Sequence, residues 1–323
     1  MAQGNTAWLF FKNLLTIVGF FFFLLDIALD MLAIYSFYQE EDYVSMGVLI
    51  FVLVGSSVVL QLFSWMWNAN PVISIWKEIR FFQGDDKQQN HTLSILRLFE
   101  MFTESIPQLC LMVSTVFIKK KLELITALKI AGSVVAVTIS ALTFHRGMCA
   151  SQSDTCKKSW GRSVIYSLWN LLLISARVTA LALFASVLPI FALVHFLARW
   201  MSFTLWVWLE PIKFMDSRAG KWLYRATIGL IFYFSWLKVT KESGKLNSVL
   251  YHVVIIGDTG LLIGVWWWQM VCEDAMFAKP LIVVSAVVSF YLVGLAFEMV
   301  YYYWPDCKCE ADLRLCMTDD TND

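Results

Sequence analysis

Acidic side chains stand inside some of the most apolar stretches of this 323-residue chain. The run "FFFFLLDIALDMLAIY", residues 20–35, carries Asp26 and Asp30 four residues apart, on one face of a helix. An aspartate that faces lipid costs about 2.5–3.5 kcal/mol at the centre of a membrane helix. Two aspartates on one face therefore predict that this face meets a protein interior, a partner cation or water.

A second charged group occurs in "LSILRLFEMFTESIPQLCLM". Arg97, Glu100 and Glu104 follow each other at helical spacing and share one face. Arg97 can pair with Glu100 within the helix, which leaves Glu104 in need of another partner. Pro107 lacks a backbone N–H and frees a carbonyl close to Glu104, so we expect a break in the helix there.

Three further charges lie in later apolar runs. Arg177 occurs in "NLLLISARVTALALF", Asp258 in "VVIIGDTGLLIG" and Glu298 in "VGLAFEMVYYYW". Arg177 is the candidate to meet Glu104 or the two aspartates of the first run across the bundle. Each of these charges could instead belong to a buried ion pair that fixes helix register.

The group as a whole points beyond one-to-one pairing. Two buried arginines cannot neutralise all five acids of the group, so some acids must be protonated, hydrated or placed along a polar path. The five acids are Asp26, Asp30, Glu100, Glu104 and Asp258.

These charges require helices that cross a membrane. Hydrophobic residues make up 59% of the chain and charged residues 15%, which excludes an ordinary soluble domain. We therefore predict an all-α polytopic membrane protein with eight spans and one or two partly inserted helices. A ninth apolar run, 226–237, is too short to cross with ease. A helix needs about 20 apolar residues to cross the hydrocarbon core. Runs of about that length place the spans at about 13–38, 44–67, 93–118, 124–144, 163–184, 187–209, 247–270 and 281–304.

Loop charges predict the orientation. Lysine and arginine collect in the loops that share a side with the N-terminus, so both termini are expected in the cytoplasm. The segment "KKKLELITALK" conflicts with this rule, and we expect its lysines, Lys129 among them, to snorkel at the outer interface. The formal net charge of zero gives no indication of nucleic acid. The sequence contains no phosphate-binding glycine loop, HExxH motif or nucleophile elbow, so neither an enzyme nor a cofactor nor a metal site is expected.

The motifs resemble those of the XK-related membrane proteins over nearly the whole chain. They include "LLDIALD" in the first span, "LQLFSWMW" ending the second, "LRLFEMFTESIPQL" in the third, and later "WLYRATIGLIFYFSW" and "FEMVYYYW". The resemblance is strongest to the caspase-activated scrambling branch. It implies an energy-independent phospholipid scramblase that exposes phosphatidylserine at the plasma membrane of apoptotic cells. It also implies a single-span immunoglobulin-type chaperone of the basigin or neuroplastin type as partner.

The resemblance further implies two related helical repeats. They would cover about 7–147 and 162–304 of a transmembrane domain at 1–304, with a cytoplasmic tail at 305–323. The glutamate-bearing third span would then correspond to the helix carrying Asp258, so that acids face each other across a pseudo-two-fold axis. Residues between the second span and "LRLFEMFTESIPQL" are fewer than the family usually has.

A lipid path follows from these placements as a hypothesis. Side chains from Glu104 through Asp26 and Asp30 to Arg177 would replace the hydration of a crossing headgroup, with no covalent step.

The chain ends in "DTND", Asp320 to Asp323, which has the form that caspases cleave after, so we expect a caspase to remove a tail there. Two alternatives stay open: a proton- or cation-coupled transporter, and a membrane scaffold whose charges are all structural.

Overall fold

The described parts of the chain are built from α-helices. The computed structural model describes residues 24–67, 95–152, 160–209, 218–236, 245–272 and 280–303. These residues form nine helices and contain no strand, which confirms the all-α prediction. The helices are α1 (24–39), α2 (Tyr43–Trp67), α3 (Ile95–Lys119), α4 (Leu124–Gln152), α5 (Trp160–Val187), α6 (Pro189–Leu209), α7 (Arg218–Phe234), α8 (Lys245–Cys272) and α9 (Pro280–Tyr303).

Seven of these helices, α2 to α6, α8 and α9, contain a stretch long and apolar enough to cross a membrane. The chain is thus a multi-pass membrane protein. The predicted first span begins outside the described residues, and its described part, α1, is helical. Helix α7 has 17 residues, or about 26 Å of helix against a hydrocarbon core of about 30 Å. It overlaps the apolar run 226–237 that was predicted to be too short to cross.

Helix α5 lies at the centre of the bundle. In an apolar 18-residue stretch of its membrane span 61% of the residues are buried, against 11% in the corresponding stretch of α9. Small residues let neighbours approach: Ala176 and Ala180 on α5 are fully buried. On α9, a Cβ added at Gly294 would lie 2.8 Å from Leu173 Cδ2, so the close contact of α9 with α5 depends on a glycine there. The central position of α5 places Arg177 inside the protein.

Helix α3 changes its hydrogen-bonding pattern before its proline. Met101–Ser105 forms a π-helical turn, and a regular α-helix resumes at Ile106–Lys119. Pro107 cannot donate a backbone hydrogen bond and its ring crowds the carbonyl of Thr103, so the wider turn accommodates both effects. Glu104 lies within this turn. The predicted helix break is therefore a local widening that carries Glu104.

The outer helices expose apolar side chains. In an apolar 18-residue stretch of α2, and in one of α6, only 17% of the residues are buried within the protein. Phe51 on α2, Leu205 on α6 and Leu292 on α9 are examples of exposed large apolar residues. Contiguous apolar surface of this extent is typical of helices that face lipid.

Candidate functional site: two charged clusters inside the bundle

Lys129 joins helix α4 to helix α1 through two ion pairs. Its Nζ lies 2.8 Å from Asp26 Oδ1 and 2.6 Å from Asp30 Oδ1. The lysine side chain is 0% exposed, so its predicted place at the outer interface is wrong. A buried ammonium loses its hydration, and the two carboxylates of α1 compensate for that loss.

Glu104 adds a third carboxylate to this group. Ser56 of α2 donates its hydroxyl to Glu104 Oε2 at 2.7 Å. Oxygens of Asp26, Asp30 and Glu104 lie within 4.8 Å of one another. We call these three acids, with Lys129 and Ser56, the acidic cluster. With all groups ionised it holds three negative charges and one positive charge, so it attracts cationic groups. The ammonium of Lys129 already contacts two of its carboxylates.

Arg97 and Glu100 pair within α3, as their spacing predicted. Arg97 Nη1 lies 2.9 Å from Glu100 Oε2, and both side chains are partly exposed. This pair leaves Glu104 to bind elsewhere, and the Ser56 hydroxyl is the partner that it finds. Local spacing on one helix was therefore sufficient to predict the first contact but not the second.

Arg177 binds Asp258, a contact that the sequence did not single out. The two side chains form an ion pair between α5 and α8, both of them buried. Arg177 also donates from Nη1 to Thr259 Oγ1 at 3.1 Å, and its guanidinium lies 4.5 Å from the ring centroid of Tyr233. The prediction that Arg177 meets Glu104 or the aspartates of α1 is therefore wrong, because α8 supplies a nearer carboxylate.

Two residues of α6 also contact Asp258, and neither was predicted from the sequence. His195 Nε2 lies 2.9 Å from Asp258 Oδ1, and Arg199 Nε donates to the same oxygen at 2.7 Å. We call Arg177, His195, Arg199 and Asp258 the basic cluster. The signal for it was present, since His195 and Arg199 stand four residues apart in an apolar run and share one face.

Counting Lys129 and Arg199 corrects the predicted charge balance. The five acids exceed the two arginines first considered by three charges, and these two further bases reduce the excess to one. The remaining charges are not evenly distributed. The acidic cluster carries a formal charge of −2, Arg97 with Glu100 carries zero, and the basic cluster carries +1 with His195 neutral. Counted with every acid ionised and His195 neutral, the two clusters therefore have formal charges of opposite sign.

Both clusters lie near the middle of their spans. Glu104 is the tenth residue of Ile95–Lys119, and Asp258 is the twelfth of Asn247–Met270. At about 1.5 Å per residue, each lies more than about 13 Å along its helix from either end of its span. The two clusters are therefore set at the depth where a headgroup crossing the bilayer is most poorly hydrated.

Glu298 belongs to neither cluster. His252 of α8 approaches its carboxylate, with Nε2 at 3.3 Å from Oε2, and His252 Nδ1 lies 3.3 Å from the hydroxyl of Tyr291. This contact links α8 to α9. It places Glu298 as a structural partner of a histidine rather than beside the other intramembrane acids.

Other predictions fall outside the described residues. They are the caspase motif at Asp320 and Asp323, the tail at 305–323 and the short segment after the second span. The two-repeat arrangement stays a prediction. Asp258 is buried, as that arrangement requires, but the groups that contact it are bases.

Comparison with known proteins agrees with the motifs. A family model described as "XK-related protein" matches residues 14–74 and 72–305. The chain is 32% identical to XK-related protein 8 of Tetraodon nigroviridis and 34% identical to that of Gasterosteus aculeatus, in both cases over 92% of this chain and 83% of the relative. XK-related protein 8 of Pan troglodytes is 29% identical over 92% of this chain and 85% of its own length.

The helical bundle, the apolar outer faces and the motifs of α1 and α3 are thus found together with a family match over most of the chain. The chain belongs to the XK-related family of membrane proteins.

Proposed function

We propose that this protein is an energy-independent phospholipid scramblase that exposes phosphatidylserine at the plasma membrane during apoptosis. The observation that carries the proposal is the pair of clusters of opposite charge at mid-membrane depth in a bundle with apolar outer faces. The family resemblance supports the same conclusion. The roles of the individual residues and the plasma membrane location with cytoplasmic termini are part of the proposal.

The energetics explain why such clusters serve lipid transfer. A headgroup cannot cross hydrocarbon alone, because its charged groups would lose their hydration without compensation. The ammonium of a phosphatidylserine headgroup suits the acidic cluster, and its phosphate suits the basic cluster. The acyl chains stay against the exposed apolar side chains of the outer helices. No ion gradient is needed, since the same groups serve transfer in both directions.

The described arrangement is a closed one. Lys129 contacts Asp26 and Asp30, and Arg177 contacts Asp258, so each cluster is largely occupied by its own side chains. Lipid transfer requires a headgroup to exchange with these internal partners. We propose that removal of a C-terminal tail by a caspase and association with the immunoglobulin-type chaperone favour that exchange.

The proposal is tested in proteoliposomes with fluorescent phosphatidylserine in both leaflets. A membrane-impermeant quencher removes about half of the fluorescence when lipids stay in place. Quenching beyond half in the presence of the chaperone, at the same rate with and without proton and sodium gradients, is the expected result. Dependence of the rate on either gradient would favour the coupled transporter, for which the three close carboxylates are the supporting observation.

A membrane scaffold is the second candidate, and the buried ion pairs favour it. Arg177 and Asp258 are both nearly inaccessible, as expected for a pair that fixes helix packing. A scaffold predicts no lipid movement under any condition. It also predicts that exchange of the two residues, Arg177→Asp with Asp258→Arg, restores the thermal stability that either single change removes.

A further inference from the structure

The lipid-facing helix α6 carries an arginine at its midpoint. Arg199 is the eleventh residue of the 21-residue span Pro189–Leu209, so about 15 Å of helix separates it from either end. Its side chain is 36% exposed, and the buried residues of this span are Ala192, Phe203 and Val207. A permanently charged guanidinium therefore lies at the depth of the hydrocarbon centre, on a helix that faces outward.

The charge around Arg199 is not balanced. Arg199 donates its Nε–H to Asp258 Oδ1 at 2.7 Å, but the same carboxylate also binds Arg177. Two guanidiniums thus share one carboxylate, and His195 Nε2 makes a further contact of 2.9 Å with its Oδ1. Arg177 is buried, so Arg199 is the arginine of the basic cluster that a molecule in the membrane can reach.

The free donors of Arg199 indicate the chemistry of a ligand. A guanidinium presents five N–H groups in a planar fork that matches the oxygens of a phosphate. Within the described part of the chain, the hydrogen bond from Nε to Asp258 is the contact that Arg199 makes, which leaves the four Nη hydrogens for a ligand. Ser202, one turn further along α6, is exposed, but it donates its hydroxyl to the carbonyl oxygen of Ala198 at 2.8 Å, so the donors for a ligand are those of Arg199.

The surroundings of Arg199 favour a lipid as the source of that phosphate. Helix α6 exposes large apolar residues over the rest of its outer surface, among them Leu197, Met201 and Leu205, so acyl chains can lie against the helix that carries Arg199. We infer that Arg199 binds the phosphate of a phospholipid headgroup on the outward face of α6. The positive charge left over in the basic cluster makes this site prefer lipids whose headgroups are net negative over zwitterionic ones. This site deepens the proposed function by naming the lipid class, and it rests on that function for its biological role.

Binding can be measured without lipid transfer. The full chain in detergent is incubated with equal amounts of phosphatidylglycerol and phosphatidylcholine of the same acyl chains, and native mass spectrometry counts the bound lipids. The variants are Arg199→Gln, which removes the charge, and Arg199→Lys, which keeps the charge without the fork. Lys121→Gln is the matched control, since it removes a positive charge from a side chain that is 75% exposed outside the spans.

Preferential retention of phosphatidylglycerol by wild type and Lys121→Gln is the expected result. The preference falls by about tenfold in Arg199→Gln, as expected when a charged hydrogen-bond donor is lost, and by less in Arg199→Lys. An unchanged preference in Arg199→Gln overturns the inference. If that variant does not remain monodisperse, an unchanged preference in Arg199→Lys overturns it instead.

A parallel sample with inorganic phosphate distinguishes a site for a lipid phosphate from a site for free phosphate. Displacement of phosphatidylglycerol by inorganic phosphate at equal concentration would overturn the lipid assignment, because the site would then bind oxyanions in general. Retention of the lipid supports the assignment. A protein that retains phosphatidylglycerol selectively but moves no lipid in vesicles would contradict the proposed function and still support this lipid site. Failure of the proposed function can therefore be distinguished from failure of the inference about Arg199.

Discussion

The ammonium nitrogen of Lys129 lies 2.6 Å from a carboxylate oxygen of Asp30, between two helices that are far apart in sequence, and the lysine is fully buried. This contact closes the acidic cluster from within. Under the proposed function, a cationic group thus occupies the place where the ammonium of a lipid headgroup would bind. The contact between these two residues supports the packing of α4 against α1.

Replacement of Lys129 by methionine tests this dual role. Lys129→Met keeps the apolar stem and removes the charge, so the aspartates lose their internal partner. We expect faster lipid scrambling in proteoliposomes together with a lower thermal stability, since an unpaired buried charge costs about 3–5 kcal/mol.

Lys121→Gln serves as its control, because the Lys121 side chain is 75% exposed and its Nζ lies 3.7 Å from Glu123 Oε1, a long contact. It should change neither the scrambling rate nor the unfolding temperature. Slower scrambling in Lys129→Met than in wild type would show that Lys129 belongs to the lipid path rather than competing with the headgroup.

The buried pair of Arg177 and Asp258 should behave as a coupled unit. We expect Asp258→Asn to destabilise the protein by about 3–5 kcal/mol, because it leaves two arginines without a counter-charge. Unfolding followed by circular dichroism in detergent measures the change. The double variant Arg177→Met, Asp258→Leu removes one arginine along with the carboxylate and should be less destabilised than Asp258→Asn.

The packing of α7 against α6 gives a prediction independent of charge. A Cβ added at Gly229 would lie 2.3 Å from Thr204 Oγ1 and 2.9 Å from the backbone nitrogen of Thr204. Gly229→Ala should therefore force α6 and α7 apart and destabilise the protein by about 1–3 kcal/mol.

Gly47→Ala is the matched control, because an added Cβ there meets nothing within 4 Å. It should raise stability by about 0.5–1 kcal/mol, since alanine favours a helix interior. Equal effects of the two substitutions on the midpoint of thermal unfolding would contradict the close contact between α6 and α7.

Hydrophobic length was sufficient to predict the helices. A run of about 20 apolar residues has few alternatives to a spanning helix, because backbone groups in lipid must be satisfied within the segment. The same argument identified α7 as too short. Contacts within one helix, such as Arg97 with Glu100, followed from spacing alone.

Contacts between helices could not be predicted in this way. Lys129 and Asp26 are 103 residues apart, and Arg177 and Asp258 are 81 residues apart, so each contact depends on which helices are neighbours. Lys129 was misplaced because it follows three lysines at the end of a span, where snorkelling is the ordinary explanation. The π-helical turn at Met101–Ser105 was likewise not predicted, although Pro107 marked its location.

The most direct test of the central claim is the scrambling rate after the acidic cluster is neutralised. The variant combines Asp26→Asn, Asp30→Asn and Glu104→Gln, reconstituted with the chaperone and compared with wild type and with a control carrying Glu41→Gln and Glu123→Gln in the loops. We predict quenching beyond half for wild type and control, and quenching that stops at half for the triple variant while it remains folded. A folded triple variant that scrambles phosphatidylserine at the wild-type rate would contradict the account.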